Sequence, residues 1–466
     1  MPECTFSPIA YSSLRLPAPV VSAFEMAGFQ QKTMSKIIKS TGSALSSDGA
    51  ALAVEAETFL APRPPLNGKI IGLDCHPDTF TAAVFVGQTP HDARKLACRE
   101  NLSLDAMLEW AQCEFGPADL FLLEAGSNSF EVCVRLQARG LRAVVLESAH
   151  VGKHAKTYAD NDKLAAARIA LVFLAGNAPC VWVPDALTRE RRELLHAYLK
   201  TVGEHTAAGN GLKGFLNGEG VRPGKRSLAL ASTRAWVEKQ REWSLLQKKL
   251  LQNHYAALDQ SAARRRDLTL LVAQEVSAEG KMLRCLKLLG IGMINAFALI
   301  AIIGDVKRFS RPEKLVAYMG LNPGQRKSGK SKNVQLGIGQ RGRGDMRSLL
   351  IQGAHAILRK GKSTPLGEWG WKLFARKGER NVAVCAIARK LVVQVWHLLN
   401  GNPPTGFDTE RSYTIKLKKL AVVIGAKLRT TLGLGESVAE CIQKFKHRVE
   451  QSEGKPARES GGQEPI

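Results

Sequence analysis

Between residues 69 and 148, apolar runs with strand character first occur as a pair and then alternate with helical patterns. The runs at 69–75 and 79–87 are separated by a short His-Pro-Asp segment, which predicts a hairpin. A third strand is predicted at 95–101. Further along, strands at 119–126 and 142–148 alternate with helices near 104–115 and 128–139. Paired strands followed by alternating strands and helices predict a mixed sheet covered by helices.

This order of elements is that of an RNase H type of sheet. The expected fold class is therefore α/β followed by α: a mixed-sheet domain of the RNase H type, a helical coiled-coil stalk, and a mainly α-helical C-terminal domain with a helix-hairpin-helix-like element. The predicted boundaries are an N-terminal extension at 1–66, the sheet domain at 67–184, the coiled-coil region at 185–285, a third domain at 286–400, and a helical appendage with a disordered tail at 401–466.

The region from 185 to 285 is predicted to be largely helical. One helix opens near Arg189, and the glycine- and proline-rich stretch 209–226 is expected to break it. A second helix is predicted from 232 to 258, with Trp236, Trp243 and Leu250 at seven-residue steps. Two antiparallel helices forming a coiled-coil stalk, or else a plain helical subdomain, fit this pattern.

The charge of the chain constrains its partners. Lys and Arg number 66 against 42 Asp and Glu, a formal net charge of +24. This favours nucleic acid over a membrane, because no run reaches the roughly 18 unbroken apolar residues that a spanning helix needs. The nine cysteines are scattered without a C-x-x-C pair, and the first 30 residues lack a signal-peptide pattern. We therefore expect a cytoplasmic protein with reduced cysteines.

Much of the positive charge lies in one segment. From Lys307 to Lys360 there are thirteen Lys or Arg and two acids, which is +11 in 54 residues. Ser328 lies inside this segment, followed by a glycine, where its hydroxyl is well placed to meet a phosphate. The alternative is a loop with a solvated basic rim. The basic residues expected to contact nucleic acid are Arg326, Lys327, Lys330, Arg341, Arg343 and Arg347.

Two glycines just before an apolar helix suggest a second nucleic-acid contact. Gly290 and Gly292 precede a strongly apolar run, as in a helix-hairpin-helix, whose glycine turn directs backbone N–H groups at a phosphate. An ordinary helix turn is the alternative. The helix expected from Asp345 carries an apolar face, and another apolar helix is predicted at 382–399.

Three acids mark the sheet domain as a candidate metal site. Asp74 and Glu124 each end an apolar strand, and Asp162 opens a helical pattern. Carboxylates at the ends of neighbouring strands can converge on divalent cations, Mg²⁺ or Mn²⁺. For any single acid, capping a turn is the competing interpretation. The histidines His76, His154 and His355 receive no such role, and His355, between two alanines, is interpreted as structural.

Five segments together resemble a known family. They are IIGLDCHPDTF, FLLEAGSNSF, NDKLAAARIA, LLGIGMINAFALIAIIGDVKRFSRPEKLVAYMGLNPGQRKSGK and NVAVCAIARKLVVQVW, in this order over about 69–400. They look like the DEDD-plus-serine transposases of the insertion-sequence family numbered one hundred and ten, which includes Piv-type DNA invertases.

The resemblance implies that the sheet domain at 67–184 is RuvC-like, with the RNase H fold. It further implies that Asp74, Glu124 and Asp162 are metal ligands, that Ser328 is the nucleophile, and that 286–400 is the serine transposase domain. It also implies a bacterial oligomer, dimer or tetramer, acting on donor and target DNA. Many family members are guided by a structured RNA. The expected function is that of an insertion-sequence transposase or site-specific recombinase, which cleaves and rejoins DNA through a serine.

One position departs from the family pattern. The third acidic motif usually has the form D-x-x-D-A, and its second aspartate is Ala165 here. Either the chain ends its helix early and Asp160 or Asn161 serves instead, or three carboxylates suffice, or the metal site is impaired. Two other functions therefore stay open: a RuvC-like metal-dependent structure-selective nuclease, and a catalytically impaired nucleic-acid-binding relic.

Overall fold

A computed structural model describes residues 60–61, 64–153, 161–326, 334–339, 342–360, 364–402 and 410–453. It divides the chain into two compact units. Among the described residues, unit A contains 201–265, 323–326 and 334–338. Unit B contains the described residues within 47–200, 266–322 and 339–466.

Seven strands of unit B form one mixed sheet. They are β1 Leu60–Ala61, β2 Ile70–Cys75, β3 Phe80–Val86, β4 Arg94–Leu102, β5 Leu120–Glu124, β6 Arg142–Leu146 and β7 Cys180–Val181, and their order is β1-β7-β6-β5-β2-β3-β4. Strand β3 runs antiparallel to β2 and β4, whereas β2, β5 and β6 run parallel. The predicted hairpin, third strand and alternating strands are confirmed. The finer identification of this sheet as RNase H/RuvC-like stays a prediction.

Helices cover both faces of this sheet. Helices α1 (Leu104–Glu114) and α2 (Ser129–Gln137) pack on the face that carries Ile71 and Leu73. The short helix α3 (Ser148–Gly152) follows β6. Helix α4 (Asp162–Leu174) packs on the opposite face. Because side chains alternate along a strand, the residues of β2 on the α4 side are Ile70, Gly72 and Asp74.

The first strand lies within the segment predicted as an N-terminal extension. Leu60 and Ala61 pair antiparallel with Val181 and Cys180 of β7. Leu66 also packs against the core beneath α4. The sheet therefore recruits chain from before residue 67, and residues 1–59 lie outside the described part.

Two long helices contribute to unit A, and the predicted break between them begins later than expected. Helix α5 (Ala186–Gly218) continues through residues 209–218 of the glycine-rich stretch and ends there, and residues 219–230 are not helical. Leu212 and Leu216 are fully buried there, in a cluster that includes Leu251 and Tyr255. Burying each leucine contributes about 1.5–3 kcal/mol, which outweighs the roughly 1 kcal/mol that a helical glycine costs.

The second predicted helix, 232–258, is also corrected. It consists of α6 (Ala231–Glu238) and α7 (Leu245–Ala278). Between them, Trp243 is buried and stacks on Phe215 with ring centroids 6.1 Å apart. Ser244 and Gln247 then start α7 by accepting each other's backbone N–H groups, a capping box. This S-x-x-Q signal is visible in the sequence.

Helices α5 and α7 pack antiparallel, as predicted. In unit A, His205 Nδ1 lies 3.0 Å from Ser261 Oγ, and Gly211 further along α5 faces His254 earlier in α7. The coiled-coil geometry of this pair stays a prediction.

The C-terminal part of unit B is helical, as expected. Its helices are α8 Gly280–Cys285, α9 Met293–Ile303, α10 Pro312–Tyr318, α11 Gly344–Lys360, α12 Pro365–Lys377, α13 Arg380–Leu399, α14 Glu410–Ile424, α15 Ala426–Thr431 and α16 Val438–Glu453. The predicted apolar face of α11 is buried, including Met346, Leu350 and Ile357. The last three helices form the predicted appendage, and residues beyond 453 lie outside the described part.

Helix α13 is the one helix in the described ranges that is long and apolar enough to cross a membrane, judged by length and composition. Eight of its side chains are buried, among them Ile387, Leu391 and Val395. Its neighbours in unit B include α10, α11 and α12. A central core helix has the same composition.

Candidate active site

The register of the sheet brings two of the predicted acids to the same edge. Leu73 of β2 pairs with Leu123 of β5 in a parallel ladder, so Asp74 and Glu124 follow at neighbouring positions. Adjacent strands lie about 4.8 Å apart, and in-register residues point to the same face. Both acids therefore project on the α4 side. The side chain of Asp74 is only 19% exposed.

A close contact between a strand and a helix brings the third acid to this edge. A Cβ atom added to Gly72 would lie 2.0 Å from the carbonyl oxygen of Ala166. The backbone of α4 therefore rests directly on β2, which only glycine permits. Asp162, in the first turn of α4, consequently lies above the end of β2 where Asp74 projects.

The site also contains a histidine that the sequence analysis did not assign. His76 Nε2 lies 3.5 Å from Asp74 Oδ2 and 3.4 Å from Asp162 Oδ1. One ligand atom from each of these three residues lies within 4.8 Å of the others. Among the described residues, Glu124 stays outside this group. The sequence signal that could have identified His76 is its position two residues after Asp74, because residues two apart on a strand point to the same face.

Two hydrogen bonds restrain the backbone of His76. The N–H of His76 donates to the carbonyl of Thr79 at 3.0 Å, closing the turn between β2 and β3. Its carbonyl accepts a 2.9 Å hydrogen bond from the Asn128 side-chain amide, at the start of α2. The position of His76 is therefore tied to the loop that follows Glu124.

Cys75 lies between Asp74 and His76 in the chain but faces the opposite core. Burial, together with the negative charge of Asp74, raises the pKa of the Cys75 thiol far above its ordinary value. The thiol stays protonated at neutral pH and is a poor metal ligand, since ligation requires a thiolate.

The start of α4 shows which residues near position 165 could replace the aspartate that the family pattern has there. The Asn161 side-chain oxygen accepts the backbone N–H of Leu164 at 2.9 Å, so Asn161 serves as the helix cap. Ala165 is half-buried in the first turn and offers no ligand atom. Asp160 and His154 lie outside the described residues.

The donor set fits a divalent cation. Carboxylate oxygens are the ligands that Mg²⁺ and Mn²⁺ take, and imidazole adds a nitrogen donor suited to transition metals. The half-exposed side chains of His76 and Asp162 leave the cluster open to solvent.

The predicted serine nucleophile lies in a segment of which little is described. Strands β8 (Pro323–Arg326) and β9 (Val334–Ile338) pair antiparallel in unit A. Ser328, Lys327, Lys330 and Arg341 lie outside the described residues, and only the backbone of Arg326 is described. Their roles stay predictions.

Two of the arginines predicted to bind nucleic acid, Arg343 and Arg347, contact protein acceptors within unit B. The Arg343 guanidinium donates to both carboxylate oxygens of Asp345, at 3.1 and 2.7 Å. Arg347 donates to the carbonyl oxygens of Gly320 and Gly339, at 3.0 and 3.1 Å. Both arginines thus have a structural role, and nucleic-acid binding by either stays a prediction.

Asp345 is held in its ionised form by this pairing. Burial alone raises the pKa of its carboxyl, but hydrogen bonding and charge from Arg343, with the backbone N–H of Met346, bring that pKa below its ordinary value. His355, interpreted as structural, has a lowered pKa because of burial and the nearby charges of Arg380 and Arg359.

The glycine turn before α9 has a packing role. Gly290 adopts φ of +79° and lies against α11, where an added Cβ would meet the Gly353 carbonyl oxygen at 2.7 Å. Asn295 reaches across to the Leu349 carbonyl oxygen at 3.2 Å. Gly292 is exposed as the cap of α9. Phosphate binding by this turn stays a prediction.

The fold and site define an α/β protein with a carboxylate–imidazole cluster at a sheet edge and a separate helical core. Residues 284–365 match the model of the "Transposase IS116/IS110/IS902 family". That segment covers α9, α10, α11 and the whole of the basic segment. This part of the chain is therefore similar to the transposases of that family.

Several curated proteins are similar over longer or shorter stretches. The "Transposase for insertion sequence element IS1111A" of Coxiella burnetii is 41% identical over 112 residues, 24% of this chain and 30% of that protein. The "Putative transposase y4qE" of Sinorhizobium fredii is 25% identical over 305 residues, 59% of this chain and 74% of its own length. The "Transposase for insertion sequence element IS1328" of Yersinia enterocolitica is 31% identical over 220 residues, 46% of this chain and 60% of that protein. The match thus spans less than a third of the Coxiella relative and most of the Sinorhizobium one.

Proposed function

We propose that this protein is the transposase of an insertion sequence, which cleaves and rejoins DNA through a covalent bond to Ser328. The observation that carries the proposal is the family match over 284–365, which includes Ser328. The similar proteins named as transposases and the net charge of +24 add support. A polyanionic substrate suits such a charge.

In the proposed reaction, the Ser328 oxygen attacks a DNA phosphorus. A bond from oxygen to phosphorus forms, the bond to one DNA oxygen breaks, and the released DNA hydroxyl takes up a proton. One phosphodiester replaces another, so the strand can later be rejoined to a new end without ATP. Serine is a weak nucleophile until its proton is removed.

The acidic cluster would supply the metal chemistry. Asp74, Glu124 and Asp162 would hold a divalent cation, Mg²⁺ or Mn²⁺, which neutralises charge on the phosphate when bound. The position of Asp74 and Asp162 within 4.8 Å of each other supports this assignment. We infer that the surrounding sheet is of the RuvC-like type.

The basic residues near Ser328 would grip the same phosphate. Arg326, Lys327 and Lys330 flank the serine in sequence, and charge-assisted hydrogen bonds to phosphate oxygens are strong. Binding should weaken steeply with salt but carry little sequence preference from these contacts.

The test uses the full chain and a plasmid that carries its gene with the flanking DNA. The mixture is denatured with detergent, and protein-linked DNA is separated by electrophoresis. We expect a covalent adduct that disappears in Ser328→Ala and persists in Ser331→Ala, the matched control three residues away. Metal-dependent nicks that survive Ser328→Ala would instead support a RuvC-like nuclease using activated water.

A third outcome is DNA binding with neither adduct nor nicks. That result favours a catalytically impaired nucleic-acid-binding relic. Ala165→Asp then tests whether the missing carboxylate is the cause, because restored cleavage would show that a fourth acid is needed.

A further inference from the structure

The carboxylate cluster at the end of β2 includes an imidazole at the spacing of a shared ligand. His76 Nε2 is nearly equidistant from Asp74 Oδ2 and Asp162 Oδ1, at 3.5 and 3.4 Å. Charge-assisted hydrogen bonds between nitrogen and oxygen are shorter, about 2.7–2.9 Å. The imidazole of His76 thus faces both carboxylates at distances longer than those of charge-assisted hydrogen bonds.

The two nitrogen–oxygen separations lie between the distances that join neighbouring and opposite ligand atoms in an octahedral coordination shell. An octahedral ion with bonds of about 2.1 Å holds neighbouring ligand atoms roughly 3.0 Å apart and opposite ones roughly 4.2 Å apart. Mutual distances within 4.8 Å leave room for one cation between the three atoms.

The backbone around each ligand is independently restrained. Asp74 is in a strand, paired with Thr81 of β3. Asp162 is in the first turn of a helix whose cap, Asn161, is in place. His76 is held by hydrogen bonds to Thr79 and from Asn128. Ligands carried by rigid elements with supporting hydrogen bonds favour a preorganised site.

We propose that His76 is a metal ligand together with Asp74 and Asp162, and that this site prefers Mn²⁺ or a similar transition-metal ion over Mg²⁺. Imidazole nitrogen suits transition metals, whereas Mg²⁺ takes oxygen ligands almost entirely. Ala165 offers no donor in the first turn of α4, and His76 supplies a further ligand, in addition to the carboxylates, from the strand side. The inference deepens the proposed function by specifying the cation of its acidic site.

The rival explanation is that a protonated His76 occupies the place of a cation and neutralises the two carboxylates. The two explanations predict opposite effects of removing the imidazole. A ligand strengthens cation binding, whereas a competing positive charge weakens it.

The experiment measures Mn²⁺ binding to the purified full chain without DNA. Mn²⁺ affinity is obtained by calorimetry, and nitrogen coordination by the ¹⁴N coupling in pulsed electron paramagnetic resonance. We expect wild-type protein to show imidazole coupling, and His76→Ala to lose it with at least about a tenfold lower affinity, since removing even a group that only orients a ligand costs roughly 10–100-fold. His91→Ala, an exposed histidine of the same sheet domain, is the matched control and should change neither reading.

A second variant addresses the choice of ion. His76→Asp makes the ligand set all oxygen and should shift preference towards Mg²⁺, seen as Mg²⁺ displacing Mn²⁺ at lower concentration than in wild type. Urea denaturation of each variant confirms that it is folded.

Three results would overturn the inference: equal or tighter Mn²⁺ binding by His76→Ala, Mn²⁺ bound to wild type without nitrogen coupling, or no Mn²⁺ binding by folded wild-type protein. Each concerns the free protein, so none is confused with loss of the Ser328 adduct, on which the proposed function is tested.

Discussion

Two regions predicted from the sequence to be functional differ in what their side chains contact: the acidic cluster of Asp74 and Asp162, and the arginines Arg343 and Arg347 of the basic segment. At the sheet edge, Asp74 and Asp162 come together and a histidine joins them. In the basic segment, Arg343 and Arg347 instead bind a carboxylate and two backbone carbonyls. A short carboxylate at a strand end has its place set by the ladder, whereas a long arginine with five donors can satisfy itself on nearby backbone.

The largest effect is expected from Gly72→Ala, which should disrupt the position of the acidic cluster. The added Cβ would lie 2.0 Å from the Ala166 carbonyl oxygen, so α4 must move off β2 and carry Asp162 with it. We expect the free energy of unfolding to fall by about 3 kcal/mol and Mn²⁺ affinity to drop. Urea denaturation and calorimetry measure both.

Gly116→Ala is the control for this prediction, because an added Cβ there meets nothing within 4 Å. If Gly72→Ala is as stable as Gly116→Ala and binds Mn²⁺ normally, the close packing of α4 on β2 does not position the site.

The variant Arg347→Ala tests the structural role of the arginines in the basic segment. It removes two hydrogen bonds to the carbonyl oxygens of Gly320 and Gly339. We expect the free energy of unfolding to fall by about 2 kcal/mol, with faster proteolysis between residues 320 and 342. The slope of DNA affinity against salt separates this structural role from the predicted phosphate contact, because a guanidinium that serves only the protein leaves the slope unchanged.

The exposed Arg376→Ala serves as the matched loss of charge, with an expected stability change under about 0.5 kcal/mol. If Arg347→Ala is stable and the slope of the logarithm of its DNA affinity against the logarithm of salt concentration falls in magnitude by about one, Arg347 contacts a phosphate.

Asp345→Asn should show a pH-dependent effect of about 1 kcal/mol. The Asp345 pKa is lower in the folded protein than its ordinary value of 3.8. The stabilising contribution is therefore fully present above about pH 4 and is lost as pH falls through the folded pKa, since the unfolded chain then binds the proton more readily. Urea denaturation at several pH values should show the wild-type advantage at pH 7 and a shrinking one below pH 4. An advantage that is unchanged at low pH contradicts the ion pair.

The smallest effect is expected from Asn128→Ala. It removes one hydrogen bond to the His76 carbonyl, so stability should change by less than about 1 kcal/mol. Mn²⁺ affinity should nevertheless fall several-fold, because the histidine backbone is no longer tied to the loop after Glu124. Calorimetry decides, and unchanged affinity would show that Asn128 does not help to place His76.

The patterns along the chain were sufficient for most regular elements. Strands β2, β3, β5 and β6 follow from short apolar runs, and the buried face of α11 follows from helical apolar spacing, and local sequence encodes both. The errors lie where distant packing overrides local preference. Leu212 and Leu216 keep α5 helical through its glycines because α7 covers them, and Trp243 ends up in a break because Phe215 stacks on it.

By itself, the sequence determined that three acids follow or open regular elements of one α/β region, and that a serine lies among dense positive charge. Only the tertiary structure decided which groups meet. His76 enters the cluster because α4 rests on Gly72 and brings Asp162 over the end of β2. The Arg347 side chain binds carbonyls because the chain folds Gly320 and Gly339 within its reach. Distances between residues far apart in the chain depend on packing, which spacing in the sequence does not encode.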